Sequence, residues 1–213
     1  MLLVLDIFYS FRSPYCYLLN ERLKELEKNM DITINIKPVY PLAIRDPKFF
    51  ESSDPLRRAY HIRDAERVAN FLGLPYRRPV PDPVVSDLKT DTIANEQPFI
   101  QPVTRMAVAA SILNASFDFT YSVMNMMWNG STDNWHEEIN MQDAVINAGL
   151  NWEELYRIVE QDKPLLDSII NKNQQSQRER GHWGVPLMVL EGEPFYGQDR
   201  FPDLQWRIEK MIR

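Results

Sequence analysis

Ser13-Pro14-Tyr15-Cys16 is the segment of this 213-residue chain whose residue types and spacing could do chemistry. It follows an apolar run from Leu2 to Tyr9 and precedes apolar residues at helical spacing. Where a strand turns into a helix, the first side chain of the turn faces the helix's unpaired N–H groups, which favour an anion or a thiolate. In a dithiol centre that position holds the first Cys of a Cys-x-x-Cys pair. Here it holds Ser13, with Cys16 at the second position. A hydroxyl cannot form a mixed disulfide, so dithiol exchange within the chain is excluded. It can still donate a hydrogen bond to a thiolate brought in by a cofactor. The same residues also make a good helix start on structural grounds alone, with Ser at the N-cap and Pro at the first helical position. These four residues by themselves leave both roles open.

The elements that must position Ser13 can be read from the pattern around it. Leu2 to Tyr9 reads as a buried strand, and Tyr15 to Lys28 as a helix through Tyr15, Leu18, Leu19, Leu23 and Leu26. Ile32 to Ile36 alternates with period two, completing a strand-helix-strand unit. From Pro38 to Pro55 the chain is proline-rich and irregular, and helical pattern then dominates. Helices are expected over Pro55–Leu72, Gln97–Leu113, Phe117–Trp128, Met141–Ala148, Trp152–Glu160 and Leu165–Arg178, with Thr132, Asp133 and Asn151 as candidate starts. Leu187 to Leu190, Glu191-Gly192-Glu193 and Phe195-Tyr196 read as a hairpin, and Gln198-Asp199 opens a last helix. The two ends can share one sheet with the helical block inserted between them. That layout predicts an α/β protein, a thioredoxin-like fold with a large all-helical insertion. Its expected boundaries are 1–40 and 165–213 for the thioredoxin-like domain and 41–164 for the helical subdomain.

Composition narrows the partners. A net charge of −6 argues against nucleic acid or an anionic membrane surface. The single Cys excludes an internal disulfide and fits a reducing compartment. The apolar N-terminus has no basic region ahead of it and is interrupted by Asp6, so it reads as a strand rather than a signal peptide. No stretch reaches the roughly 20 apolar residues of a spanning helix. A soluble cytoplasmic protein is the expectation. His61 and His136 have no partners at metal-ligand spacing, so no metal is assigned. The cluster Met124, Met126, Met127 and Trp128 suits the core or the wall of an apolar pocket.

Three motifs in order carry a resemblance: Phe8-Tyr9-Ser10-Phe11-Arg12-Ser13-Pro14-Tyr15, then Gly184-Val185-Pro186, then Tyr196-Gly197-Gln198-Asp199-Arg200. With Tyr60, Asp64, Arg67 and Gly73-Leu74-Pro75 in the insertion, the chain resembles the DsbA-like branch that holds 2-hydroxychromene-2-carboxylate isomerases and kappa-class glutathione transferases. The resemblance implies glutathione as cofactor and a homodimer. It implies that Ser13 is the catalytic residue, donating to the glutathione sulfur, and that Pro14 and Tyr15 beside it are cofactor-binding. Val185-Pro186 would be a cis bond presenting the Val185 backbone to the cofactor, whereas a trans, strand-starting proline is the commoner arrangement for such a sequence. Gln198 and Asp199 would hold the γ-glutamyl end. Arg57 falls where the family usually has a Lys near the glycyl carboxylate. The family's Asn contact has no counterpart around Lys48, and Cys16 stands where isomerase-like members often carry Ser or Ala.

The implied activity is glutathione-dependent isomerisation of an unsaturated aromatic keto acid, with Arg12, Arg57 or Arg63 as partner for the substrate carboxylate. Two alternatives stand beside it: conjugation or peroxide reduction of the kappa-class type, and a non-enzymatic or thiol-handling relative in which Cys16 acts. His182 and Trp183, beside the Val-Pro step, would line a substrate pocket or simply pack.

Overall fold

The computed structural model describes residues 3–48, 54, 56–87 and 92–212. Leu2 and Pro55, the expected first residues of a strand and a helix, lie outside the described residues. Strand β1 (Leu3–Tyr9) turns Leu3, Leu5, Ile7 and Tyr9 into the main core, while Phe8 packs on the opposite face with Val39, Leu187 and Val189. Strand β2 (Ile32–Pro38) pairs with β1 in parallel, from Leu3 opposite Ile32 to Tyr9 opposite Pro38. Strand β3 (Leu187–Leu190) is buried throughout and runs antiparallel to β1, with Phe8 opposite Leu187. Strand β4 (Glu193–Tyr196) returns along β3 after Glu191 and Gly192, whose φ values of 49° and 88° match a two-residue primed turn. The order β2-β1-β3-β4 joins strand-helix-strand from one end of the chain to the hairpin from the other.

The helix expected over Tyr15–Lys28 is two helices, α1 (Pro14–Tyr17) and α2 (Asn20–Asn29). At the break the Leu19 N–H bonds only three residues back, to the Cys16 carbonyl at 3.3 Å. Leu18, Leu19 and Leu23 stay fully buried across it, which is why the apolar spacing does not register the interruption. Next come α3 (Leu42–Arg45), α4 (Leu56–Leu72), α5 (Ile100–Ile112), α6 (Ser116–Trp128), α7 (Glu138–Asn147), α8 (Trp152–Gln161) and α9 (Lys163–Glu179). A 3-10 turn, Gln198–Arg200, precedes α10 (Phe201–Ile212), so Gln198-Asp199 opens the turn rather than the α-helix itself.

Side-chain hydrogen bonds decide several boundaries. α5 starts later than expected because Gln97 is buried in the preceding loop, accepting from the Val85 N–H at 2.9 Å and donating to the Val85 and Ala94 carbonyls. Thr132 and Asp133 start no helix. Asp133 pairs instead with Arg77, and the Asn140 amide donates back to the Asn134 carbonyl at 3.0 Å. Asn151 does cap α8, accepting from the Glu154 N–H at 2.9 Å.

Ala-rich α5 is the buried centre of the helical block and packs on α6, α8, α9 and β2. α4 buries only Ala65 and Ala69 completely and leaves Leu56, Tyr60 and Phe71 exposed. Trp128, at the end of α6, is fully buried between Tyr17 and Tyr76, and its indole N–H donates to the Phe11 carbonyl at 3.1 Å. It therefore ties the helical block to the loop that leads into Ser13. Among the described residues no helix is long and apolar enough to cross a membrane. Trp128→Ala is expected to lower stability by about 3–5 kcal/mol in urea unfolding, on the scale of buried aromatic truncations.

Candidate functional site

The sheet register alone brings three distant segments to one edge. β1 runs out at Tyr9 beside the start of β3, because Phe8 faces Leu187 in an antiparallel pair. β4 ends at the same edge, since Tyr196 is opposite Leu187. The loop to Ser13, the Val185-Pro186 step and the turn carrying Gln198 and Asp199 are thus neighbours. The Val185-Pro186 peptide is cis, and the Pro186 carbonyl accepts from the Gly197 N–H at 2.9 Å.

Ser13 is the N-cap of α1, with extended backbone, and its hydroxyl oxygen accepts from the Cys16 N–H at 3.3 Å. With α1 only one turn long, the field at Ser13 is that of a few peptide groups rather than a long helix. Pro14 is buried and Tyr15 half-buried beside it. Cys16 is completely buried, and burial pushes its thiol up to about 12, against smaller opposing effects from the Ser10 backbone and the Ser13 hydroxyl. At neutral pH it is a protonated, inaccessible thiol.

The loop before cis-Pro186 is fastened from behind. Gln177 on α9 is fully buried and donates to the Gly184 carbonyl at 2.6 Å, while its Oε1 accepts from Arg45 Nη1 at 3.0 Å. Arg45 also donates to the Trp183 carbonyl at 3.0 Å and the Tyr40 carbonyl at 2.7 Å. Burial lowers the Arg45 pKa to about 10, with Arg178 adding to the effect, so it stays charged at neutral pH. The Gly184 N–H donates to His182 Nδ1 at 2.8 Å, so the neutral imidazole carries its proton on Nε2. His182 stacks on Tyr196 with ring centroids 3.6 Å apart, and Trp183 continues the stack. A Cβ at Gly184 would run into the Tyr196 ring, so any larger residue would displace that ring from its stack on His182. Among the described residues neither the N–H nor the C=O of Val185 has a hydrogen-bond partner.

The third segment is gathered by Arg22, which sequence reasoning missed. Arg22 Nη1 donates to the Gln198 carbonyl at 3.0 Å and Nη2 to Gln198 Oε1 at 2.5 Å, and its guanidinium lies over Phe201. Asp199 is exposed, pairs with Arg200 at 3.6 Å, and holds up the Arg22 pKa against the lowering effect of burial. Gly197, at φ 97°, supplies a conformation that L side chains avoid, and a Cβ there would meet the Asp199 carboxylate.

The opposite wall comes from α4 and the segment after it. The Tyr15 hydroxyl donates to Asp64 at 2.6 Å and its ring meets His61 edge-on at 5.0 Å. Burial lowers the His61 pKa, helped by Arg78, Arg57 and Arg12 and opposed by Asp64. Arg57 is exposed on α4 and bears electrostatically on both His61 and Tyr196. Arg12 grips Asp82 with Nε at 2.8 Å and Nη2 at 3.3 Å, a tie that no local pattern announces. Arg63 is exposed on α4. Two cavities, of about 470 and 290 Å³, open elsewhere, along α6–α7 and around Phe99 and Trp135. Among the described residues no three or more His, Cys, Asp or Glu side chains gather as a metal site.

Fold and site together define a thioredoxin-type scaffold in which a serine hydroxyl occupies the position of the attacking thiol. The chain belongs to the DSBA-like thioredoxin domain family, which matches residues 4–209. Among solved structures it is similar to a 2-hydroxychromene-2-carboxylate isomerase, at TM-score 0.74 and 19% identity over 99% of this chain and 96% of that one. It is also similar to the cytosolic disulfide reductase DsbM from Pseudomonas aeruginosa, at TM-score 0.64 and 15% identity over 99% and 98% of the two chains. A third is the thiol-disulfide exchange protein alpha-DsbA2 from Wolbachia pipientis, at TM-score 0.59 and 13% identity over 98% and 81%. At these identities the likeness is one of fold. No curated protein matches the chain in sequence.

Two outcomes follow from this geometry. Cys16 is expected to resist aromatic disulfide reagents at pH 8 in the native protein and to react stoichiometrically once urea unfolds it, as followed by absorbance. Gln177→Leu strands the Gly184 carbonyl and one Arg45 donor, so urea unfolding is expected to show a loss of at least about 2 kcal/mol, with faster amide exchange at Trp183 and Gly184.

Proposed function

We propose that the protein is a glutathione-dependent isomerase of an unsaturated aromatic keto acid, of the 2-hydroxychromene-2-carboxylate isomerase type. The observation that carries this reading is the meeting of Ser13, the Val185 backbone, unpaired among the described residues, and the Gln198-Asp199 turn at one sheet edge, with the chain's own thiol buried and protonated. The residues present suit the cofactor. Val185, just before β3, has an N–H and a C=O without hydrogen-bond partners among the described residues, and these can pair with an extended peptide backbone. Asp199 offers a carboxylate for an ammonium group, and the first N–H groups of the turn can receive a carboxylate.

When bound, glutathione supplies a thiolate nucleophile whose reversible addition to a conjugated double bond divides one high barrier into two lower ones. The chain's part is to hold and bias that sulfur. Ser13 acts as both cap and donor: its oxygen accepts the Cys16 N–H, and its proton is directed to the sulfur when ligand is present. Arg22 and Gln177 keep the two flanking segments in place, so the groups that meet the ligand are already ordered. Thiol exchange through Cys16 has no support in this arrangement, because the nucleophile would be neutral and enclosed.

Calorimetric titration with glutathione tests the reading. The wild type is expected to bind saturably, and Asp199→Ala to bind at least about tenfold more weakly, on the scale of a lost charge-assisted hydrogen bond. Ser13→Ala is expected to lower turnover of an unsaturated aromatic keto acid by about tenfold to a thousandfold and stability by only about 1 kcal/mol. No binding at millimolar glutathione overturns the proposal.

A further inference from the structure

The charge gathered around His61 is opposite to that of the whole molecule. The net charge is −6, yet the charged groups that bear on His61 are three arginines, Arg12, Arg57 and Arg78, and one carboxylate, Asp64. Asp64 is already engaged by the Tyr15 hydroxyl at 2.6 Å and by Arg67 at 3.3 Å. Asp82 is engaged further. Its Oδ1 accepts from Arg12 Nε at 2.8 Å and the Val84 N–H at 2.9 Å, and its Oδ2 from Arg12 Nη2 and Arg78 Nη2, both at 3.3 Å.

That arrangement ranks the arginines. Arg12 spends its fork on Asp82 and is mostly covered, with 23% of its side chain exposed. Arg78 makes a single long contact to the same carboxylate, and among the described residues no other hydrogen bond uses its remaining donors. Its side chain is 39% exposed, so a ligand can reach it without taking the guanidinium fully out of water first. Asp82 meanwhile fixes where Arg78 sits, one carboxylate away from the residue that precedes Ser13. A guanidinium so placed presents two parallel N–H groups, the fork that a carboxylate or other planar oxyanion accepts in bidentate fashion. His61, held edge-on to Tyr15 at 5.0 Å, adds a neutral imidazole that can donate one further hydrogen bond.

We infer that Arg78, assisted by His61, forms an anion-binding subsite that selects carboxylate-bearing electrophiles for the thiolate at Ser13. The inference rests on the glutathione reading above and assigns the substrate's charged end. It replaces Arg12 as the carboxylate's partner, because Arg12 would have to abandon a two-point contact with Asp82 to serve.

The test compares ligands that span both halves of the site. S-benzylglutathione and its ortho-, meta- and para-carboxybenzyl counterparts are titrated into the wild type and Arg78→Gln by calorimetry. At least one carboxylated adduct is expected to bind the wild type about tenfold to a hundredfold more tightly than S-benzylglutathione. That advantage is expected to vanish in Arg78→Gln, while S-benzylglutathione itself binds both proteins equally, which also reports an intact fold. Equal binding of all four adducts by the wild type, or an advantage that survives Arg78→Gln, overturns the subsite and leaves the glutathione site standing. Failure of every adduct to bind the wild type overturns the glutathione reading, and the subsite with it.

Discussion

A single buried amide underlies the geometry of this site. Gln177 is cut off from water and must satisfy both ends of its side chain inside the protein, which it does by taking the Gly184 carbonyl on one side and Arg45 on the other. Arg45 passes the connection to Trp183 and Tyr40, so α9, the cis-proline loop and the segment after β2 form one hydrogen-bonded unit. The Gly184 and Trp183 carbonyls are taken up by this unit, and the N–H and C=O of Val185 have no partner among the described residues. Removing either member would leave a charge or a carbonyl unpaired in the interior, which is costlier than the bond itself is favourable.

The chemistry implied by Ser13 depends on keeping two sulfurs apart in character. A thiolate from outside would meet a hydroxyl donor at the surface of α1, whereas Cys16, three residues on, is enclosed and held protonated. On the proposed reading, the oxygen of Ser13 would serve a sulfur brought in by a ligand, with the chain's own thiol held out of the chemistry.

Much of the fold was legible in the chain. Alternation in Ile32–Ile36, the apolar run before Ser13, the Glu-Gly-Glu turn and the Asn151 cap each express a local rule, and each element lies where that rule puts it. The three motifs likewise fall at one sheet edge. What could not be read were choices of distant partner. The break at Leu18–Leu19 is invisible because burial continues across it. Gln97 looked like the start of a helix, but two loop strands compete successfully for its amide. Arg22 with Gln198, and Arg12 and Arg78 with Asp82, join residues whose separation no periodicity encodes. Arg12 is bound at two points by Asp82, a residue 70 positions on.

β1 lies in the interior of the sheet, yet one of its two neighbours, β3, is separated from it by nearly the whole chain. During synthesis β1 and β2 can pair early, but the other edge of β1 waits for β3, more than 170 residues on. Closing so long a loop carries a large entropic cost before any contact rewards it, which slows folding. The central helices, rich in local contacts, can form in the interval. The waiting edge of β1 exposes Leu5, Ile7 and their backbone groups, so the nascent chain has to be shielded there against pairing with a second copy.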